Sequence, residues 1–277
     1  MTNHAGPIGV FDSGYGGLTV LKEFVKDFPE YDFIYLGDNA RTPYGTRSFD
    51  VVYEYTLQAV KKLFDMGCPL VILACNTASA KALRNIQQLD LPRIAPDRRV
   101  LGVIRPSVEK VAEMTHTGHI GVLGTNGTVA SESYPIELEK WSGGRVVSTV
   151  QEACPMWVPI VENNEIDTPG AEYFVQKNIA NLLARDQKMD TIILGCTHYP
   201  LLIRQIKKFL PEGINILEQG KIVSESLKGY LDRHLEMNNR CSKKGTVIYY
   251  TTENVDIFEQ KAGFFLGHNV SASQLHF

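Results

Sequence analysis

Leu70-Val71-Ile72-Leu73-Ala74-Cys75-Asn76-Thr77 and Thr191-Ile192-Ile193-Leu194-Gly195-Cys196-Thr197-His198 are two similar stretches of this 277-residue chain. A second pair, Ile8-Gly9-Val10-Phe11-Asp12-Ser13 and Ile120-Gly121-Val122-Leu123-Gly124-Thr125, follows the same order with a similar separation. Either pair alone could reflect the general likeness of strands. Both pairs together, with a cysteine in register, indicate that the chain consists of two duplicated halves.

Short apolar runs alternate with helical patterns along most of the chain. Continuous runs of this kind are typical of strands buried on both faces of a parallel sheet. The predicted strands are residues 8–11, 33–36, 70–73, 100–104, 120–123 and 191–194. Residues 18–28 follow helical spacing, and residues 48–66 follow it more loosely. The alternation predicts an α/β protein with doubly wound, mainly parallel sheets. The duplication predicts two similar domains that are related by a pseudo-twofold axis and face one cleft.

Polar side chains follow the ends of five predicted strands. They are Asp12-Ser13, Asp38-Asn39, Cys75-Asn76-Thr77, Thr125-Asn126 and Cys196-Thr197-His198. A single polar residue after a strand is usually a turn or a helix cap. In open α/β sheets, however, ligands bind at the carboxyl ends of the strands. Five such clusters therefore indicate a site.

The composition excludes several classes of function. Hydrophobic residues make up 44% of the chain and charged residues 21%, with a net charge of −3. A net charge of −3 does not indicate a basic surface that would bind nucleic acid, or a polybasic segment that would bind a membrane surface. The longest apolar stretch, around residues 66–75, is too short to span a bilayer. Residues 1–7 lack a signal-peptide pattern, so we expect a cytoplasmic protein with no nucleic-acid or membrane partner.

In a cytoplasmic protein we expect the five cysteines to be reduced thiols. Their odd number, without an export signal, argues against a disulfide framework. No C-x-x-C pair or convincing histidine spacing predicts a metal site, and no lysine stands in a context that argues for a pyridoxal Schiff base. A cysteine is most often a buried small hydrophobic residue, which is how we interpret Cys68, Cys154 and Cys241.

Cys75 and Cys196 differ because each follows a strand, precedes polar residues and has a counterpart in the other half. A helix N-terminus favours the thiolate over the thiol, and the unperturbed thiol pKa of about 8.5 lies near neutrality. Two thiols on opposite faces of a ligand fit inversion at carbon. One removes a proton, and the other returns a proton to the opposite face.

Hydrogen-bond donors are expected around the carboxylate of such a substrate. Ser13 and the glycine-rich loop at residues 14–17 could supply them, as could Asn76, Thr77 and Thr197. The loop itself is weakly specific, because it matches neither a P-loop nor the dinucleotide spacing. His198 is either a polar residue that caps a helix or a proton-transfer group beside Cys196.

The chain resembles the aspartate/glutamate racemase superfamily, and within it the glutamate racemases of bacterial cell-wall synthesis. The likeness covers nearly the whole chain. It is carried by Gly9-Val10-Phe11-Asp12-Ser13-Gly14, Gly37-Asp38, Pro43-Tyr44-Gly45, Ala74-Cys75-Asn76-Thr77-Ala78, Ala153-Cys154-Pro155, Val158-Pro159 and Gly195-Cys196-Thr197-His198-Tyr199-Pro200.

The resemblance implies roles for particular residues. Cys75 and Cys196 would be the two acid/base thiols. Asp12 would assist Cys75, while His198 and Glu162 would assist Cys196, although Glu165 lies close to Glu162 in sequence. The residues that it implies for substrate binding are Asp12, Ser13, Tyr44, Gly45, Asn76, Thr77, Thr125, Thr128, Thr197 and His198.

The resemblance also implies an architecture and a biological setting. A second domain, residues 102–211, would be inserted into a first domain formed by residues 1–101 and 212–277. The active site would lie between the two domains, and the protein would be a homodimer that needs neither metal nor pyridoxal phosphate. Its product, D-glutamate, would serve peptidoglycan synthesis.

Three other interpretations stay open on the sequence. A racemase for aspartate or another amino acid would keep both cysteines and differ in pocket depth. A decarboxylase on the same scaffold would need only one of them. A binding or redox module without catalytic activity would not require duplicated thiols at two strand ends.

Overall fold

The structure is a computed structural model that describes residues 5–277. Residues 1–4, which belong to the predicted first domain and to the segment without a signal-peptide pattern, lie outside the described residues. Its ten strands are β1 Ile8–Asp12, β2 Phe33–Gly37, β3 Leu70–Leu73, β4 Arg99–Gly102, β5 His119–Gly124, β6 Ser148–Ala153, β7 Thr191–Gly195, β8 Asn215–Leu217, β9 Val247–Thr251 and β10 Ala272–Gln274.

The helices lie mainly between the strands. They are α1 Leu18–Asp27, α2 Phe49–Asp65, α3 Asn76–Lys81, α4 Leu83–Asn85, α5 Leu91–Ile94, α6 Ile104–Met114, α7 Asn126–Ala130, α8 Ser133–Trp141, α9 Trp157–Glu162, α10 Pro169–Arg185, α11 Ile203–Phe209, α12 Gln219–Arg233, α13 Leu235–Asn238 and α14 Val255–Leu266. Short 3-10 turns span Asn39–Arg41, Tyr44–Thr46 and Tyr199–Leu202, and a π-helical turn spans Ile86–Asp90.

The strands form two parallel sheets. The first has the order β10-β9-β2-β1-β3-β4 and the second has the order β6-β5-β7-β8. Every strand pair among the described residues is parallel. The fold class is therefore α/β with two parallel sheets, as the alternation of apolar runs predicted.

The central strands of the first sheet are covered on both faces. Side chains alternate between opposite faces of a strand, and Val10 and Ile72 join the apolar cluster under α1, α12 and α14. Their neighbours Phe11 and Leu73 join the cluster under α2. Burial on both faces explains why the sequences of these strands are continuously apolar and do not alternate with polar residues.

The duplication is visible in the strand order. In the first sheet β1 lies between β2 and β3, with β4 outside β3, and in the second sheet β5, β6, β7 and β8 repeat that arrangement. The two cysteine motifs follow the equivalent strands β3 and β7. The repeat in the sequence thus corresponds to a repeat in the topology.

The structure corrects the predicted strands in two respects. The strand predicted over residues 100–104 ends at Gly102, because Val103 already has helical dihedral angles and α6 begins at Ile104. Four strands, β6, β8, β9 and β10, were not predicted. Since β8 pairs with β7, the second sheet extends to Leu217, beyond the predicted crossing at Pro211. The domain division itself stays a prediction.

None of the helices within residues 5–277 is both long and apolar enough to cross a membrane. The five cysteines are free thiols, and over the same residues no group of three or more His, Cys, Asp or Glu side chains is arranged to hold a metal ion.

Hydrogen bonds to Asp190 connect the start of β7 to the loop that precedes β5. Its carboxylate accepts hydrogen bonds from the Thr115 hydroxyl (2.6 Å), the His116 and Thr117 backbone N–H groups (2.7 and 2.8 Å) and the Thr191 hydroxyl (3.0 Å). Burial alone would raise the pKa of Asp190, but these hydrogen bonds outweigh it and lower the pKa to about 2.

Replacing Asp190 by Asn should therefore lower the free energy of unfolding in a pH-dependent way. The folded-state pKa lies below the ordinary aspartate value of 3.8, so the stabilisation is present above that value and is lost as the pH falls through about 2. Urea titrations of wild type and Asp190→Asn should differ at pH 7 and converge as the pH falls below 4. The exposed Asp232→Asn variant is the control, and a difference independent of pH would contradict the assignment.

Candidate active site

A cavity of about 270 Å³ lies at the carboxyl ends of strands from both sheets. Residues that follow β1, β2, β3, β5, β6 and β7 line it. They are Ser13, Thr42, Pro43, Tyr44, Gly45, Thr46, Cys75, Asn76, Thr77, Thr125, Asn126, Cys154, Pro155, Val158, Pro159, Glu162, Asn163, Cys196, Thr197 and His198. The cavity therefore occupies the place where α/β sheets bind ligands.

Cys75 lies directly after β3 and forms the N-cap of α3. Its Sγ accepts a hydrogen bond from the Ala78 backbone N–H (3.4 Å) and lies 3.3 Å from the Ser13 Oγ. Burial and the nearby Asp12 carboxylate nevertheless raise the pKa of Cys75 to about 12. The sequence led us to expect a thiol near its ordinary pKa, and that expectation is wrong for Cys75 because dehydration outweighs the hydrogen bonds.

Cys196 lies after β7 beside a histidine that is paired with a carboxylate. The Cys196 Sγ is 3.8 Å from the His198 Nδ1, and the His198 Nε2 is 2.9 Å from the Glu162 Oε1. Glu165, the alternative to Glu162 in the sequence, is exposed. Cys196 does not cap an α-helix as Cys75 does, because a 3-10 turn begins at Tyr199 and α11 begins only at Ile203.

The charge state of His198 follows from these contacts. Burial alone would lower the pKa of His198, but the hydrogen bonds to Cys196 and Glu162 and their negative charges raise it to about 10. His198 is consequently a cation at neutral pH. It is the only residue with a basic side chain among the described residues that line the cavity.

Asp12 lies behind the cavity lining. It is 1% exposed, and its Oδ2 accepts a hydrogen bond from the Gly14 backbone N–H (2.9 Å). Burial raises the pKa of Asp12, although the charge of His198 partly offsets the rise. The Gly14 N–H that we expected to face a ligand thus binds Asp12.

The glycine-rich loop after β1 packs closely against the second cysteine motif. A Cβ at Gly16 would collide with the Thr197 Oγ1 and with the ring of His198. Glycine is therefore required at this position, and the contact joins a loop of the first sheet to a site residue of the second sheet.

Three threonine hydroxyls form a cluster across the edge of the cavity. The Thr77 Oγ1 lies 2.9 Å from the Thr125 Oγ1, and the Thr128 Oγ1 lies within 3.4 Å of both. Thr77 and Thr125 line the cavity, whereas Thr128 is fully buried and supports them from behind. Hydroxyl groups can both donate and accept, so the two members of the cluster that line the cavity suit a polar ligand.

Tyr44 and Asn76 reach the cavity, but their polar atoms are already engaged. The Tyr44 hydroxyl donates to the Asp38 carboxylate. The Asn76 amide nitrogen donates to Gln219 and its oxygen accepts from Tyr134. Contacts from these two residues to a ligand would therefore come mainly from the tyrosine ring and from backbone groups.

The structure brings most of the sequence-predicted site residues to one cavity. All of them line it except Asp12 and Thr128, which lie directly behind it. Sequence reasoning placed Asn126 in a polar cluster at a strand end without giving it a role, and it did not assign Pro155, Val158 or Asn163 to the site. Pro155 and Val158 belong to motifs that carried the family resemblance, so that signal was available. Nothing in the sequence singled out Asn163.

Comparison with known proteins identifies the family to which the chain belongs. The sequence profile of the Asp/Glu/Hydantoin racemase family matches residues 18–223, more than half of the chain. Glutamate racemase from Persephonella marina is 38% identical over 269 residues, which cover 97% of this chain and 96% of the relative. The chain therefore belongs to the Asp/Glu/Hydantoin racemase family, and its full-length relatives are named glutamate racemases, which are isomerases.

Two solved structures show the same fold. The crystal structure of a glutamate racemase isoform from Bacillus anthracis is 34% identical, has a TM-score of 0.88 and covers 98% of both chains. Glutamate racemase from Francisella tularensis, solved in complex with D-glutamate, is 28% identical with a TM-score of 0.86 and the same coverage.

The Glu162→Gln substitution should lower the pKa of His198. The amide keeps the size of the side chain but removes the negative charge that stabilises the imidazolium. An NMR titration of the His198 ring should show its midpoint moving down from about 10. Glu165→Gln, at the exposed neighbouring carboxylate, is the matched control. An unchanged midpoint in Glu162→Gln would refute the pairing.

Proposed function

We propose that the protein interconverts L- and D-glutamate without a cofactor, with Cys75 and Cys196 as its two acid/base groups. The observation that carries this proposal is the placement of the thiols. They follow equivalent strands of two duplicated sheets, and both line one cavity. A reaction that inverts a carbon centre needs a proton acceptor on one face and a proton donor on the other.

The proposed reaction is a transfer of two protons. One cysteine, as the thiolate, takes the α-proton, and the electron pair of the C–H bond remains on the α-carbon and its carboxylate. The other cysteine, as the thiol, then gives its proton to the opposite face. The product has the opposite configuration, and the thiol and thiolate have exchanged places for the reverse reaction.

The substrate itself would help to ionise the thiols. Burial and Asp12 raise the pKa of Cys75, so this thiol is protonated in the unliganded protein. An amino acid brings an ammonium group into the cavity, and a nearby positive charge favours a thiolate. Asp12 lies directly behind the lining, and its Oδ1 has no hydrogen-bond partner, so its carboxylate would attract and orient that ammonium group. On the other side, the His198 Nδ1 lies 3.8 Å from the Cys196 Sγ, within reach to exchange a proton with it.

Glutamate is the proposed substrate because the relatives that match over nearly the full chain are named for it. A relative that aligns over 98% of this chain was solved with D-glutamate. The two carboxylates would be held by hydroxyl and backbone donors, since no lysine or arginine is among the described residues that line the cavity. Interaction with fixed donors also stabilises the negative charge that develops on the α-carboxylate.

We further propose that the protein is a cytoplasmic homodimer that supplies D-glutamate for peptidoglycan. These proposals rest on the family resemblance. A molecular mass measured in solution by light scattering would test the dimer.

The purified protein should abolish the optical activity of L-glutamate without any added cofactor. Polarimetry, or circular dichroism, follows the loss directly, with L-aspartate as the comparison. Loss with aspartate alone would retain the mechanism and change the substrate. No loss with either amino acid would refute the proposed function.

Cys75→Ala and Cys196→Ala should each abolish racemisation, because each removes one of two obligatory proton carriers. Cys68→Ala is the matched control, since Cys68 is also buried but lies outside the cavity. Both active-site variants should still bind glutamate, measured by calorimetry. Substantial racemisation by either one would be incompatible with the two-base mechanism.

A further inference from the structure

A closed ring of three buried hydrogen bonds lies behind the cavity. The Tyr134 hydroxyl donates to the Asn76 Oδ1 (2.7 Å), and the Asn76 Nδ2 donates to the Gln219 Oε1 (2.5 Å). The Gln219 Nε2 then donates to the Tyr134 hydroxyl oxygen (2.9 Å). Each residue donates once and accepts once within the ring. All three are at most 3% exposed.

The ring joins three segments that are distant in the sequence. Asn76 begins α3 and directly follows Cys75, Tyr134 lies in α8 beside the second sheet, and Gln219 begins α12 after β8. One member is therefore the immediate neighbour of a proposed catalytic thiol. The other two belong to segments that follow strands of the opposite sheet.

Tyr134 also touches the neighbour of the second thiol. A Cβ added at Gly195 would lie 3.1 Å from the Tyr134 Cε2 and 3.0 Å from the Leu123 backbone oxygen, so the tyrosine ring packs closely on the backbone before Cys196. The same side chain thus hydrogen-bonds to the residue after Cys75 and packs against the residue before Cys196.

Gln219 anchors the ring at the point where the chain leaves the first sheet. Its Nε2 donates to the Ser107 Oγ (2.7 Å), and the Ser107 hydroxyl donates to the Val103 backbone oxygen (2.8 Å). Val103 lies between β4 of the first sheet and α6. The ring is consequently fixed to the connection between the two sheets.

We propose that Tyr134 and Gln219 are positioning residues that set the separation of Cys75 and Cys196. This inference rests on the proposed function. A buried polar group that loses its partner is costly, and hydrogen bonds are directional, so the ring permits one arrangement of the three segments. Burial raises the pKa of Tyr134, which keeps its hydroxyl protonated as a donor.

The Tyr134→Phe variant tests the proposal with a minimal change. It removes the hydroxyl that holds Asn76 and leaves the ring that packs on Gly195. Tyr31→Phe is the matched control, because the buried Tyr31 also donates to an asparagine Oδ1, that of Asn238 (2.8 Å), at a place remote from the cavity. Both variants lose the hydrogen bond from a tyrosine hydroxyl to an asparagine Oδ1, so a general effect of that loss should appear in both. Tyr134→Phe also loses the hydrogen bond that its hydroxyl accepts from Gln219.

Two reactions separate positioning from general damage. Racemisation needs both thiols, whereas elimination from 3-chloroglutamate needs only one base. In the elimination a thiolate takes the α-proton and chloride leaves, and the resulting enamine takes up water to give 2-oxoglutarate and ammonium. Each enantiomer of the probe presents its α-proton to one thiol. The residual elimination of Cys196→Ala identifies the enantiomer that faces Cys75.

In Tyr134→Phe we expect kcat for racemisation to fall at least about tenfold in both directions, because the variant loses two buried hydrogen bonds of the ring, with little change in KM. Elimination should fall only for the enantiomer that faces Cys75, since Asn76 is the residue released. Gln219→Met, which breaks the ring away from the cavity, should reproduce this asymmetry, and it serves as the test if Tyr134→Phe does not fold.

Equal losses of racemisation and of both eliminations would overturn the positioning role, as would behaviour indistinguishable from Tyr31→Phe. Failure of the proposed function would be visible separately, because the wild-type protein would then not racemise glutamate at all.

Discussion

The exclusion of water from the two cysteines is the constraint on which the chemistry of the cavity depends. Cys75 and Cys196 are each 6% exposed, and a charge that leaves water is expensive unless nearby groups compensate for it. At Cys75 the surroundings oppose ionisation, because burial and the Asp12 carboxylate act in the same direction. The cavity is therefore set for a ligand that brings its own positive charge.

Duplication produced two similar backbones with different electrostatics. The strand order repeats between the sheets, and a thiol follows the same strand in each. Yet Cys75 has a buried carboxylate and a helix N-terminus beside it, whereas Cys196 has the cation of His198, which Glu162 stabilises. The α-carbon of glutamate carries an ammonium group, a carboxylate and a side chain, which are three different groups, so two thiols in identical surroundings would not meet identical parts of the substrate. Two different local solutions are the physical consequence.

The sequence predicted those features that local patterns encode. Cys75 and Cys196 stand at the ends of apolar runs, and the strands that carry them are buried on both faces. The strand β6 was missed because it is an edge strand with polar side chains such as Gln151 and Glu152. The β-branched and aromatic run of β9, by contrast, was a usable signal that we overlooked. The roles of Tyr134 and Gln219 were not predictable, since their contact joins residues 85 positions apart.

A polar ring, rather than an apolar contact, at this junction has a physical reason. Apolar side chains can slide and repack at modest cost, because the hydrophobic effect is non-directional. Tyr134, Asn76 and Gln219 satisfy one another only in a narrow set of positions, and a shifted ring would leave polar atoms buried without partners. The reacting carbon must lie within reach of a thiol on each side, and small displacements of the reacting groups lower the reaction rate strongly. The sheets bring the two cysteines to one cavity, and the ring restricts how far apart they can lie.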